Sequence, residues 1–126
     1  MIVATAQDAA ALFELLFAEA PAETETLAVA YLNGERRLMG TIAHPAGAAD
    51  QIELPVRRIL EEALRLGASG IVIAHNHPSG DPQPSAEDVE ATRELADTAS
   101  RLGMRLLDHL IFAGGETCSL RSLGLL

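Results

Sequence analysis

The stretch Gly70-Ile71-Val72-Ile73-Ala74-His75-Asn76-His77-Pro78-Ser79-Gly80-Asp81-Pro82-Gln83-Pro84-Ser85-Ala86-Glu87-Asp88 decides how this chain is read. Gly70 to Ala74 is short and apolar throughout, the pattern of a buried strand. His75 and His77 follow at its exit. Side chains on an extended segment alternate with a period of two, so both imidazoles point the same way. Three prolines and Gly80 stiffen the loop beyond them, and Asp88 returns one turn into the next helix. Two imidazoles and a carboxylate make a ligand set for a hydrolytic zinc ion, which keeps its fourth position open for water.

A purely structural reading covers part of the same string. Ser85-x-x-Asp88 is a capping box, with Ser85 as N-cap and Asp88 at the third helical position. Proline and glycine between a strand and a helix are ordinary loop punctuation. Neither accounts for paired histidines at a strand exit in a chain with four histidines in all. The two readings are compatible, because a cap would hold Asp88 in one rotamer.

Outward from this string the chain alternates strands and helices. Ala9, Leu12, Phe13, Leu16 and Phe17 lie on one face of a helix that ends before Pro21. Thr26 to Leu32 reads as a strand, Asn33-Gly34 as a hairpin turn, and Arg37 to Ala43 as the antiparallel partner. His44 to Gln51 reads as a loop, with a brief extended piece at Ile52 to Leu54. A second helix runs from near Pro55 to Gly67 and a third from Ala86 to about Leu102, closed by Gly103. Met104–Leu107 and Leu110–Ala113 read as two strands parted by Asp108-His109, and Cys118–Leu120 as a last one. A hairpin together with helical crossovers predicts an α/β fold with a mixed β-sheet flanked by helices.

Composition narrows the function. The 126 residues are expected to form one domain, 1–126, with a core of Ala, Leu, Ile and Val, since 48% are hydrophobic and only 3% aromatic. Nine arginines and lysines against 18 acids give a formal charge of −9, which opposes binding to a phosphate backbone. A single cysteine, Cys118, excludes an internal disulfide and fits a reducing compartment. Met1 to Ala10 lacks the basic start of a secretion signal, and no apolar run has the length of a membrane span. A cytoplasmic domain is the expectation; the oligomeric state is left open.

The spacing His75-x-His77-x10-Asp88 resembles the JAMM motif of the JAB/MPN metalloprotease family. The fuller string from His75 to Asp88 is similar to the RadC-type branch of that family, as is Leu106-Leu107-Asp108-His109-Leu110-Ile111. The resemblance runs from about Glu25 to Leu126 and implies a JAB/MPN sheet, related in architecture to cytidine deaminases. It implies a zinc hydrolase, peptidase or isopeptidase, with His75, His77 and Asp88 as ligands. It also implies a general base in a glutamate that leads into the first strand. Glu25 is the choice, in Glu25-Thr-Leu-Ala-Val-Ala-Tyr-Leu-Asn33, and Glu23 the alternative. Ser85 would donate to the oxyanion of the substrate, a use set against its service as helix cap. His109 reads as a structural residue or a partner of a ligand, His44 as an exposed loop residue, and Cys118 as a small hydrophobe. The substrate expected is a polypeptide, lying along an edge of the hairpin.

Two departures from the RadC-type pattern stand out. The family usually carries a helix–hairpin–helix region ahead of this domain, where this sequence offers one helix. Before the middle helix the family often reads His-Pro-Arg-Glu, and this chain reads Pro55-Val56-Arg57-Arg58. Two rival functions conflict with the residues. A metal-free scaffold or DNA-repair-associated module conflicts with the complete ligand set and the acidic charge. A nucleobase deaminase needs Pro-Cys-x-x-Cys, which one cysteine cannot supply.

Overall fold

The computed structural model describes residues 1–18, 25–47 and 54–126. In order the elements are α1 (Ala6–Ala18), β1 (Glu25–Leu32), β2 (Leu38–Gly47), α2 (Val56–Leu66), β3 (Gly70–Asn76), α3 (Ala86–Arg101), β4 (Arg105–Ala113) and β5 (Glu116–Ser119). The strands form one sheet in the order β2-β1-β3-β4-β5. β1 pairs antiparallel with both β2 and β3, β3 runs parallel to β4, and β4 is antiparallel to β5. The parallel pair is joined through α3, the crossover that parallel neighbours need. The fold is therefore α/β with a mixed sheet, as the alternation of patterns predicts.

Strand periodicity sorts the core into two layers. Leu27, Val29, Tyr31, Ile71 and Ile73 pack with Ile59, Leu60 and Ala63 of α2 and Leu95 and Ala99 of α3. Ala28, Ala30, Leu32, Val72 and Ala74 pack instead with Ala9, Leu12 and Phe13 of α1. By the same alternation Glu25 and His75 fall on the α2/α3 side. Tyr31 pins that layer: its hydroxyl donates to the Ile59 carbonyl at 2.8 Å. Its burial, with Glu62 nearby, pushes the phenol well above its ordinary pKa.

Four local expectations are corrected. β2 continues through His44 and Pro45 to Gly47, where a loop was expected. It is an edge strand, so among the described residues no strand pairs with the outer side of its backbone beyond the Leu38 N–H, which donates to the Met1 carbonyl, and a residue without N–H is tolerated. His44 is accordingly half-buried opposite Leu27 rather than exposed in a loop. The hairpin forms, but not as a two-residue Asn-Gly turn. Asn33 Oδ1 accepts from the N–H groups of Glu35 and Arg37 at 2.9 Å, and the positive φ falls on Arg36 at 62°. Of the extended piece at Ile52–Leu54, the first two residues lie outside the described residues.

The third correction matters most. Asp108-His109 does not divide two strands; β4 runs unbroken from Arg105 to Ala113. Asp108 is tolerated inside it because its carboxylate is fully engaged. Oδ1 accepts the His109 and Arg121 N–H groups at 2.7 and 3.1 Å, and Oδ2 accepts the Ser119 hydroxyl at 2.6 Å. The register against β3 steps from Ile71↔Leu106 to Val72↔Asp108, leaving Leu107 as the extra residue of a bulge. Leu106 and His109, three apart, therefore share the α2/α3 side, with His109 opposite Ile73. The last strand, expected at Cys118–Leu120, lies two residues earlier at Glu116 and ends at Ser119.

Candidate metal centre

Four side chains meet where β1 begins, β3 ends and α3 begins. His75 and Glu25 are fully buried, and Asp88 and His77 nearly or wholly so. His75 Nε2 lies 2.8 Å from His77 Nε2. Asp88 Oδ2 stands 3.8 Å from the first of these nitrogens and 3.4 Å from the second. Glu25 Oε1 is 3.9 Å from His75 Nε2. The donor atoms of Glu25, His75 and His77 all lie within 4.8 Å of one another, a group able to hold a metal ion. Asp88 Oδ2 lies against the same pair of nitrogens.

Local bonds fix each participant. Asn76 Oδ1 accepts the Thr26 N–H at 2.6 Å, tying the exit of β3 to the entry of β1 where the hairpin register slips beside Glu25. Ser85 caps α3: its Oγ accepts the Asp88 N–H, and Asp88 Oδ2 accepts the Ser85 N–H, both at 3.0 Å. That reciprocal pair locks the Asp88 carboxylate against the helix start.

The bonding also settles which histidine nitrogens carry hydrogen. The His77 Nδ1 contact at 2.7 Å is to the Asp81 carbonyl, which can only accept. His77 therefore carries hydrogen on Nδ1, and in the neutral ring its Nε2 presents a lone pair. His75 Nδ1 lies 2.6 Å from His109 Nε2, and His109 Nδ1 lies 2.7 Å from Thr92 Oγ1. Thr92 gives its one hydroxyl hydrogen to the Asp88 carbonyl at 2.6 Å. Towards His109 it can then only accept, so His109 holds hydrogen on Nδ1 and receives one at Nε2 from His75. In the neutral rings the Nε2 atoms of His75 and His77 are then the nitrogens without hydrogen. Burial first, with His75 and His77 adding to it, holds the His109 pKa well below the ordinary histidine value. The neutral ring that this bond order requires is the form its surroundings favour.

Two such lone pairs 2.8 Å apart repel unless a cation, a proton or a metal ion, lies between them. A second observation agrees: Asp88 Oδ1 is buried with no hydrogen-bond partner among the described residues, a costly condition for a carboxylate oxygen. Tetrahedral coordination at bond lengths of about 2.0–2.2 Å separates ligands by roughly 3.3–3.6 Å. The 3.4 Å Nε2–Oδ2 distance lies in that range, the 3.8 Å one just above it, and the 2.8 Å between the two Nε2 atoms is shorter, so the imidazoles would part slightly around an ion. By donor type and direction the residues present fit a metal ion.

The structure thus brings Glu25, His75, His77 and Asp88 together and places Ser85 at their margin, half-buried. Glu23 lies outside the described residues. The expected competition between the two uses of Ser85 is corrected by its geometry. Capping occupies a lone pair of Oγ, and the hydroxyl hydrogen remains to donate. Sequence reasoning missed Thr92 and the Asp81 carbonyl. Thr92 carried a usable signal, a polar residue at i+4 from Asp88 on a buried helix face; a backbone carbonyl carries none. Cys118 sits half-buried in β5 with its thiol pKa raised by burial and by Asp108, unsuited to a nucleophile.

A mixed sheet between helices, with imidazoles and carboxylates gathered at adjoining strand and helix ends, defines an α/β domain with a site that can hold a metal ion. Its sequence matches the model of the RadC-like JAB domain over residues 3–125, and the chain belongs to that family. Among curated relatives it is 44% identical over 99 residues to a UPF0758 protein of Nostoc sp., covering 79% of this chain and 41% of the relative. A UPF0758 protein of Trichormus variabilis is 45% identical over 97 residues (77% and 40%), and one of Geobacter sulfurreducens 40% over 95 (75% and 42%). The match spans about two-fifths of the length of these relatives. No helix among the described residues is long and apolar enough to cross a membrane.

Proposed function

We propose that this chain is a zinc-dependent hydrolase that cleaves an amide bond, with His75, His77 and Asp88 holding the metal and Glu25 as general base. The observation that carries the reading is the pair of Nε2 lone pairs, each aimed at the other by a bond on its own Nδ1. Zinc, when bound, supplies Lewis acidity and brings the pKa of its water to about 7. Glu25 takes the proton from the attacking water and later returns it to the leaving amine. Its burial at the entry of β1 keeps bulk water from competing. The Ser85 hydroxyl donates to the oxyanion that builds on the substrate carbonyl.

A polypeptide is the substrate that suits this frame. β2 is an edge strand beside the site end of β1, and an extended segment can pair with such an edge main chain to main chain. Direct DNA binding does not suit it. Arg57 pairs with Glu61 at 2.7 Å and Arg65 with Glu62, which offsets the positive field of α2. The reading makes the domain spanning 1–126 the catalytic unit, working in the cytoplasm.

The test is metal content of the purified chain, followed by a peptide-library cleavage screen with and without chelator. Glu25→Gln should keep the zinc and lose turnover by about 10²–10⁴-fold, because an amide cannot accept the proton. Zinc-loaded protein that cleaves no member of the library, yet binds duplex DNA at physiological salt, would replace this reading with the DNA-associated one.

A further inference from the structure

We infer that His109 and Thr92 are positioning residues that fix the tautomer of His75 and join it, through hydrogen bonds alone, to the metal-facing residue Asp88. The inference rests on the zinc reading above and concerns residues outside its ligand set. Its basis is a continuous path: His75 Nδ1 to His109 Nε2 at 2.6 Å, His109 Nδ1 to Thr92 Oγ1 at 2.7 Å, Thr92 Oγ1 to the Asp88 carbonyl at 2.6 Å. All four residues are buried, so water does not substitute for any link.

Direction is what makes this path more than packing. It starts at a carbonyl, which cannot donate, and each later group has only one way to respond. Thr92 must donate to Asp88 and accept from His109; His109 must donate from Nδ1 and accept at Nε2; His75 must donate from Nδ1. The outcome at the far end is an unprotonated Nε2 aimed at His77. Metal-bound histidines ordinarily donate their other nitrogen to a carboxylate or carbonyl. His77 does so, to Asp81. His75 leans on a neutral imidazole, which could equally present N–H towards it, so a further group has to decide. Thr92 is that group. Its place one turn beyond Asp88 on α3 also ties the helix that carries one carboxylate to the strand that carries one histidine.

The experiment measures zinc affinity by competition with a chromophoric chelator, for wild type, Thr92→Val and Thr92→Ser. Valine keeps the shape and removes the hydroxyl; serine keeps the hydroxyl. Thr92→Val should bind zinc about 10–100-fold more weakly. Thr92→Ser should recover most of that loss. A long-range ¹H–¹⁵N spectrum of the zinc-loaded wild type, which depends on no variant folding, should show His75, His77 and His109 all protonated at Nδ1. A folded Thr92→Val with wild-type zinc affinity, or His109 protonated at Nε2, would overturn the inference while leaving the zinc site intact. A wild-type chain that takes up no zinc would instead overturn the metal reading itself, and this inference with it.

Discussion

Replacing Ser85 by alanine separates its observed use as a helix cap from its proposed use as an oxyanion donor. As N-cap, Ser85 Oγ accepts the Asp88 N–H at 3.0 Å, and losing a cap of this kind costs about 1 kcal/mol. The reverse half of the box survives, since Asp88 accepts from the Ser85 main chain. Unfolding entropy of roughly 2.1 cal/mol/K per residue gives about 0.26 kcal/mol/K for a chain of 126 residues. The cap loss then lowers Tm by about 4 °C. Because the Asp88 carboxylate keeps its main-chain donor, zinc affinity should change little. Losing an oxyanion donor is a separate and larger effect, about 10²–10³ in kcat with little change in KM. Calorimetry of the zinc-loaded protein and steady-state kinetics on a peptide from the cleavage screen read the two effects independently. Ser85→Thr, which keeps the hydroxyl, should stay near wild type in both. A Tm drop of the expected size with kcat within about threefold of wild type would make Ser85 a cap alone and refute the catalytic half of the argument.

Two further outcomes follow from the same structure. On the proposed reading zinc would bind only the folded arrangement of ligands, so at free zinc about a thousandfold above Kd it should stabilise by about 4 kcal/mol, near 15 °C in Tm. Scanning calorimetry with and without chelator checks this, and overlapping transitions would contradict the site. Cys118, whose thiol is pushed up by burial and by Asp108, should react with iodoacetamide at pH 8 several-fold more slowly than free cysteine. Mass-spectrometric time courses showing equal or faster alkylation would contradict that environment.

Helices and buried strands were legible in the sequence because each obeys one period over many residues. α3 starts at Ala86 behind Ser85 and ends before Gly103, whose φ is 77°, as its punctuation predicts. β1 and β3 declared themselves as apolar runs. The pairing of His75, His77 and Asp88 was legible for a similar reason, since strand alternation and a cap act within a few residues. Context decided the rest. Pro45 looked like a loop residue because nothing local says that its strand will be an edge. Gly34 looked like the special turn position, but Asn33 Oδ1 organises the turn and moves the positive φ to Arg36. Asp108-His109 looked like a break because the groups that satisfy Asp108 in the strand, Ser119 and the Arg121 N–H, come from 11 and 13 residues further on. Thr92 was passed over because its partner His109 sits 17 residues away on another element.

The bulge at Leu107 sets terms for anyone who would transplant this centre. Moving Glu25, His75, His77 and Asp88 into another sheet would copy the atoms that could face a metal and lose the offset that supplies the fifth side chain. In a regular strand, positions 106 and 109 look to opposite sides, so His109 would land among the alanines beneath α1. A slip that flattened the bulge without shortening the chain would do the same within this protein, with no change to any residue of the site, whereas deleting Leu107 would leave positions 106 and 109 two apart and on one side. Tolerance here is a matter of counting: the bulge between Leu106 and His109 is as much a part of the centre as the imidazole it delivers.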